Sequence, residues 1–263
     1  VLDAATSEVL KADLMTSESG SLSFELANDV SFKVRVYANS KGNGVSQWGL
    51  RIVNNGGSAA TGNYPLYSLD SGAISVGAIT KSIEMRATSG WSGAGYTSTR
   101  SAAPFAILDS MITASLYALS GRNNLSFDPV DVYWSTQNSE NNVGTSFFSG
   151  EYIMVLGDAD ADTDEYDESI IIHEWGHYFQ SIASRDDSIG GSHGSGDLLD
   201  MRVAFSEGWA NALSGLAAGI DRYQDTAGSQ QGGGFSRSLE NALTESQGAV
   251  KGWYSEDSVQ TVI

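Results

Sequence analysis

Cysteine is absent from the 263 residues. No disulfide braces this chain, and no thiolate can act as nucleophile or metal ligand. That absence leaves the compartment open, because many secreted bacterial enzymes also lack cysteine. Positive charge is scarce: 14 Lys and Arg stand against 32 Asp and Glu, a net charge of -18. Such an excess argues against a nucleic-acid partner and against an anionic membrane surface. It reads as a solvated acidic surface, suited to a salty medium or to calcium. No uninterrupted apolar run approaches the roughly 18 residues of a membrane span. Histidine occurs three times. What is present is a globular composition: apolar residues make up 41%, enough for a packed core, so disorder is excluded as the main state. The length suits one large domain or two smaller ones. The chain opens on Val1 rather than Met, which fits a removed leader or a trimmed start.

The first 97 residues read as β-structure. SLSFELA (21–27), VSFKVRVYA (30–38), QWGLRIV (47–53) and NYPLYSL (63–69) alternate and are rich in Val, Phe, Tyr and Ile. Turn signals at Asn54–Gly57 and Lys41–Gly44 separate them. A sandwich-like domain over 1–97 is the expectation, with the Gly/Ser-rich stretch 88–100 as its boundary. The texture then changes. APFAILDSMITASLYALSG (103–121) puts Phe105, Leu108, Ile112, Leu116 and Leu119 on one helical face, with Pro104 in the first turn and Gly121 at the stop. Strands are expected at 130–135, 144–148 and 151–157, and helices at about 165–184 and 198–219. The final stretch, YSEDSVQTVI, reads as a helix start capped by Ser255, with Glu256 and Asp257 in its first turn. The chain stops where that helix should continue, so a further C-terminal part is expected.

Two of the three histidines lie four residues apart in IIIHEWGHYFQ (170–180). On a helix His173 and His177 share a face. Two imidazoles so placed can hold one zinc ion, and Glu174, beside the first, can take a proton from water that the ion makes acidic. A random chain of this length carries H-E-x-x-H with a probability on the order of one per cent. The alternative is a pair of core histidines with backbone partners. Burying two imidazoles and a carboxylate among isoleucines is unfavourable unless something satisfies them.

A catalytic zinc needs a third protein ligand and one open position. A metzincin would carry Gly and His where this chain has Gln180 and Ala183, and a cysteine ligand is impossible. A downstream carboxylate remains. Glu207 in AFSEGWANALSGLAAG is the best candidate: with Asn211 and Ser214 it forms a polar stripe on an otherwise apolar helix. Asn211, one turn on, could hydrogen-bond a ligand histidine. Asp197 and Asp200 are the rivals.

H-E-x-x-H on one helix and E-G-W-A-N on the next resemble the gluzincin metallopeptidases. Over roughly residues 95–260 the chain looks like a group of uncharacterised secreted bacterial zinc peptidases. Two departures are visible. His177 and Glu207 are 30 residues apart (207 − 177), longer than is usual among gluzincins, and Asn211 stands where thermolysin-like enzymes have Asp. The resemblance implies a zincin-like domain over 98–263 whose mixed sheet packs on the zinc-binding helix; with the accessory β-domain read over 1–97, the expected fold class is α+β. An edge strand at 144–148 or 151–157 would pair with an extended peptide. It implies a peptide or protein substrate and a secreted, periplasmic or cell-surface location.

Secondary candidates follow. His193, in the loop between the two motif helices, and Tyr223 could donate to an oxyanion. Asp158, Asp160, Asp162 and Asp164 are spaced as calcium ligands might be. They do not make an EF-hand, because Thr163 and Ser169 occupy the sixth and twelfth positions. The plainer reading of these acids is a favourable negative charge at a helix N-terminus. Two other classes stay open: a binding or adhesion protein with a degenerate metal site, and a metal hydrolase with a non-peptide substrate.

Overall fold

The computed structural model of the protein describes residues 1–42, 45–75, 77, 80–241 and 251–263. Seven short strands lead: β1 (Leu2–Asp3), β2 (Ser31–Lys33), β3 (Arg35–Tyr37), β4 (Asn39–Lys41), β5 (Gly49–Asn54), β6 (Ser68–Asp70) and β7 (Ile74–Ser75). Helix α1 (Ala103–Gly121) precedes β8 (Val130–Trp134), β9 (Phe147–Phe148) and β10 (Tyr152–Val155). A small hairpin, β11 (Gly157–Asp158) and β12 (Asp162–Thr163), leads into α2 (Glu168–Ala183). Then come α3 (Met201–Ala218), the hairpin β13 (Arg222–Asp225) and β14 (Phe235–Ser238), and α4 (Glu256–Val262). The fold class is α+β.

A five-stranded mixed sheet in the order β4-β5-β8-β10-β9 lies at the centre. Its middle three strands are parallel, and both edges are antiparallel. Successive side chains on a strand face opposite ways. Val132 and Trp134 of β8 and Ile153 and Val155 of β10 therefore join one core with Ile107 and Met111 of α1 and Ile171, Ile172 and Trp175 of α2. Tyr133, Tyr152 and Met154 join Val53 on the other face, under Tyr64, Leu66 and Phe147. Parallel strands buried on both faces read as near-continuous apolar runs, as VDVYW and YIMV do.

The separate sandwich expected over 1–97 does not form. β4 and β5 belong to the central sheet, with β5 pairing β8 from Leu50↔Val130 to Asn54↔Trp134. The remaining strands make a three-stranded sheet, β1-β2-β7, and a two-stranded ladder, β3–β6. Residues 21–27 pair with no strand among the described residues; Phe24 only meets the edge of Phe32, at 5.9 Å between ring centroids. NYPLYSL is paired over its second half: Leu66 bridges to Val53, the Tyr67 N–H donates to the Ile52 carbonyl, and Ser68 and Leu69 belong to β6. The turn at Asn54–Gly57 has Gly56 and Gly57 at positive φ, the conformation glycine tolerates. The turn expected at Lys41–Gly44 falls partly on residues 43 and 44, outside the described residues.

Most of the expected boundary at 88–100 is exposed, but Gly90 and Arg100 within it are buried. Arg100 pairs with Glu165 and donates to the Gly157 carbonyl. Its guanidinium lies 4.8 Å from the Tyr96 ring centroid and 5.4 Å from that of Trp134. Helix α1 turns Ala103, Ile107, Met111 and Ala114 inward, while Leu116 is 54% exposed. Of the expected stripe, Leu108 is also buried and Phe105, Ile112 and Leu119 pack against the same core, so Leu116 alone turns away. By length and composition α1 would suffice to cross a membrane, but here its inner face is buried against the sheet.

Candidate metal centre

The site forms where α2 and α3 pack together. Gly176 permits the approach: a Cβ there would lie 3.4 Å from Ala210 Cα and 3.3 Å from Leu213 Cδ2. α2 runs from Glu168, two or three residues later than the expected start, and turns His173 and Glu174 into the interior with His177 beside them. α3 starts at an Asp200 cap, whose carboxylate accepts from the Arg202 N–H, and ends at Gly219 in the left-handed conformation. Along it, Glu207 and Asn211 are buried on the side facing α2.

Glu207 Oε2 lies 3.2 Å from His173 Nε2 and 3.1 Å from His177 Nε2, and the two Nε2 atoms are 3.0 Å apart. The outer nitrogens settle the tautomers. His173 Nδ1 sits 2.8 Å from Asn211 Oδ1, an acceptor, so Nδ1 carries the hydrogen. Ser206 gives its only hydroxyl hydrogen to Gln180 Oε1 at 2.9 Å, so at 3.2 Å it accepts from His177 Nδ1. Both Nε2 lone pairs therefore face one another and a carboxylate oxygen, with no hydrogen between them. Three acceptors in one buried spot repel unless a cation joins them. Two imidazole nitrogens and a carboxylate oxygen suit zinc, and bonds of about 2.0–2.1 Å in a tetrahedron set ligands about 3.3 Å apart. The donor set fits a zinc ion.

Burial would raise the Glu207 carboxyl, but its closeness to His173 and His177 outweighs it and holds the group well below the usual carboxylate range. For His177, burial works to lower the imidazole, yet Glu207 and Glu174 together leave it raised. Glu174 is raised by burial against the pull of the two histidines, and it accepts a hydrogen bond from the Phe148 backbone N–H.

The rivals for third ligand lie elsewhere. Asp200 is occupied with Arg202 at the exposed start of α3, and Asp197 is exposed in the preceding loop. His193 does come to the site. Its Nε2 is 3.3 Å from Glu207 Oε2, and its Nδ1 is 3.0 Å from Glu256 Oε2, which raises the imidazole. Glu256, the first residue of α4, is in turn held by Arg237 at 2.8 Å. Gly208 lets α4 this close: a Cβ there would meet the Glu256 carbonyl at 2.6 Å. Tyr223 packs edge-on to His173, with centroids 5.7 Å apart, and burial raises its hydroxyl. Its ring stacks on Phe235.

A cleft of about 1080 Å³ opens on these groups, walled by Phe147 and Phe148 of β9 on one side and by Tyr223 and Phe235 on another. The sequence reading missed Ser206, Gln180, Glu256 and Arg237. Gln180 lies three residues beyond His177 and so shares its face, a signal that was present; Glu256 offered none at this distance along the chain. Of the acids expected to share calcium, Asp158 and Asp160 do not come together with the others. They close the turn of the β11–β12 hairpin, Asp158 Oδ1 accepting from the Asp160 N–H at 3.1 Å. Asp162 and Asp164 instead gather with Asp225.

No protein-family model matches this chain, and no curated protein matches it either.

Proposed function

We propose that the chain is a zinc-dependent peptidase of gluzincin type, with a zincin-like arrangement of sheet and helices. The observation that carries this reading is the meeting of His173 Nε2, His177 Nε2 and Glu207 Oε2 with no hydrogen between them. These three residues would hold the ion. Zinc, when bound, supplies Lewis acidity: it polarises a carbonyl and makes water acidic near neutral pH.

The chain's own groups supply the rest. Glu174 moves the proton, accepting it during attack and returning it to the departing amine. A carboxyl held above its ordinary range by burial suits that exchange, and the Phe148 N–H orients it. β9 pairs only with β10 among the described residues. Its other edge lies along the cleft, where an extended peptide can add as a further strand. His193 and Tyr223 are the proposed donors to the developing oxyanion. A strongly acidic surface favours a peptide or protein partner over nucleic acid, and the resemblance extends the proposal to a secreted or cell-surface setting.

The test is Glu174→Gln, with metal content and hydrolysis of a mixed peptide library measured together. The variant is expected to keep about one zinc per chain and to lose hydrolysis by at least a hundredfold. Full retained hydrolysis would overturn the role of Glu174, and zinc absent from the wild type after reconstitution would overturn the reading.

A further inference from the structure

A second group of acids lies in the wall of the same cleft. Asp162 is in β12, Asp164 follows it, and Asp225 ends β13, about 60 residues on. The fold joins them by tying the β11–β12 hairpin to the segment after β13. Asp162 bridges to Ala227, the Gly228 N–H reaches the Ala161 carbonyl at 2.6 Å, and Thr163 donates to Gln231 Oε1 at 2.6 Å. One oxygen from each of the three carboxylates then lies within 4.8 Å of the others. Two oxygens bound to one calcium at about 2.3–2.6 Å can stand no more than about 5 Å apart, so this spacing admits a single ion.

The second observation is an unmet buried group. Asp164 is only 3% exposed. Its Oδ2 accepts from Ser146, and its Oδ1 has no partner among the described residues. Asp162 Oδ1 is likewise enclosed and unpartnered. A buried anionic oxygen left unpaired is strongly unfavourable. The charged neighbours that weigh most on the three are further acids, Asp167 and Glu140. Asp167 is turned toward Thr226, and its carboxylate accepts from that residue's N–H and hydroxyl.

We propose that Asp162, Asp164 and Asp225 bind one calcium ion, which pins the β11–β12 hairpin to the end of β13. The donors are all hard oxygens, unlike the imidazole-rich site, and flexible oxygen coordination is what calcium takes. Tyr223 stands two residues before Asp225 on the same face of β13. The ion would therefore also steady the strand that packs on His173. This site does not depend on the peptidase reading.

The experiment uses the full chain, stripped of metal and titrated with Ca²⁺ by calorimetry, with thermal melting in parallel. One ion per chain and a raised Tm are expected. Asp164→Asn and Asp225→Asn should each weaken binding at least tenfold and remove the Tm rise. Should either variant fail to fold, the partly exposed Asp162→Asn serves in its place, with Ca²⁺ displacing Tb³⁺ luminescence as the readout. His173→Ala should lose zinc and keep calcium binding unchanged. No heat and no Tm change at millimolar Ca²⁺ would overturn the proposal, as would equal binding by the aspartate variants. Binding of lysine-rich peptides to a calcium-indifferent protein would also overturn it, making the trio a subsite for cationic substrate groups.

Discussion

His193 is held at both ring nitrogens, by Glu256 on one side and by Glu207 on the other, while its side chain stays 32% exposed to the cleft. It touches the Glu207 carboxylate but is not among the three residues that could together hold a metal ion. Removing it should therefore change chemistry more than metal content. His193→Ala is expected to keep zinc stoichiometry and to lower kcat/KM on the order of 10²-fold, the usual scale for losing one oxyanion donor. An unchanged kcat/KM would remove His193 from the active site; a lost zinc would make it a ligand. At this scale the sequence was informative about residue type and silent about company. Three histidines and an E-G-W-A-N helix named the candidates. That Ser206 and Gln180 jointly orient His177 is a geometric fact between two helices, with only the i, i+3 spacing of Gln180 as a hint.

Helix α2 begins at an acid that does not cap it. Asp167 lends its backbone carbonyl to the first turn, while its carboxylate turns away to accept from the Thr226 N–H and hydroxyl. Burial raises this carboxyl to about 6 and outweighs those hydrogen bonds; Asp225 adds repulsion. The folded pKa thus lies above the unfolded value of about 3.9. The folded state holds the proton more tightly, so the group's unfavourable contribution is absent below about pH 4, grows as pH rises, and is complete above about 6. Asp167→Asn in metal-free protein is expected to gain on the order of 2 kcal/mol over the wild type at pH 8. The two should converge near pH 4 in urea denaturation. A constant difference across that range would refute the assignment. Elements of this length were legible where their pattern was strong: α2 and α3 lie within a few residues of their expected bounds, and β8 and β10 fall on the expected runs. α1 was legible as a helix and in most of its inward stripe; Leu116 departs from it, on a helix that carries apolar residues on nearly every side.

Across the whole molecule, the Arg100–Glu165 pair ties the segment before α1 to the hairpin that leads into α2. Both members are buried, and Trp134 donates a further hydrogen bond to Glu165 at 3.3 Å. Taking away one partner strands a buried charge, which is far more unfavourable than replacing both. Arg100→Met should destabilise by about 3–5 kcal/mol, and adding Glu165→Gln should recover a large part of it. Equal and additive losses in the two single variants would show that the pair is not coupled. The expected division at residue 97 is not seen because the central sheet crosses it, β5 pairing with β8.

What the sequence determined by itself is local. A helix places residues four apart on one face whatever surrounds it, so His173, Glu174 and His177 were bound to share a turn once α2 formed. A short apolar run is equally local, and it marked β8 and β10 as strands. What only the tertiary structure decided is which distant groups meet. Glu207 rather than Asp197 or Asp200 faces the histidines, Asp225 rather than Asp158 or Asp160 joins Asp162 and Asp164, and β5 pairs with β8 instead of closing an N-terminal sandwich. The physical reason is the same in each case. Periodicity is set by backbone geometry over a few residues, whereas strand partners and convergent carboxylates are set by burial summed over the whole chain.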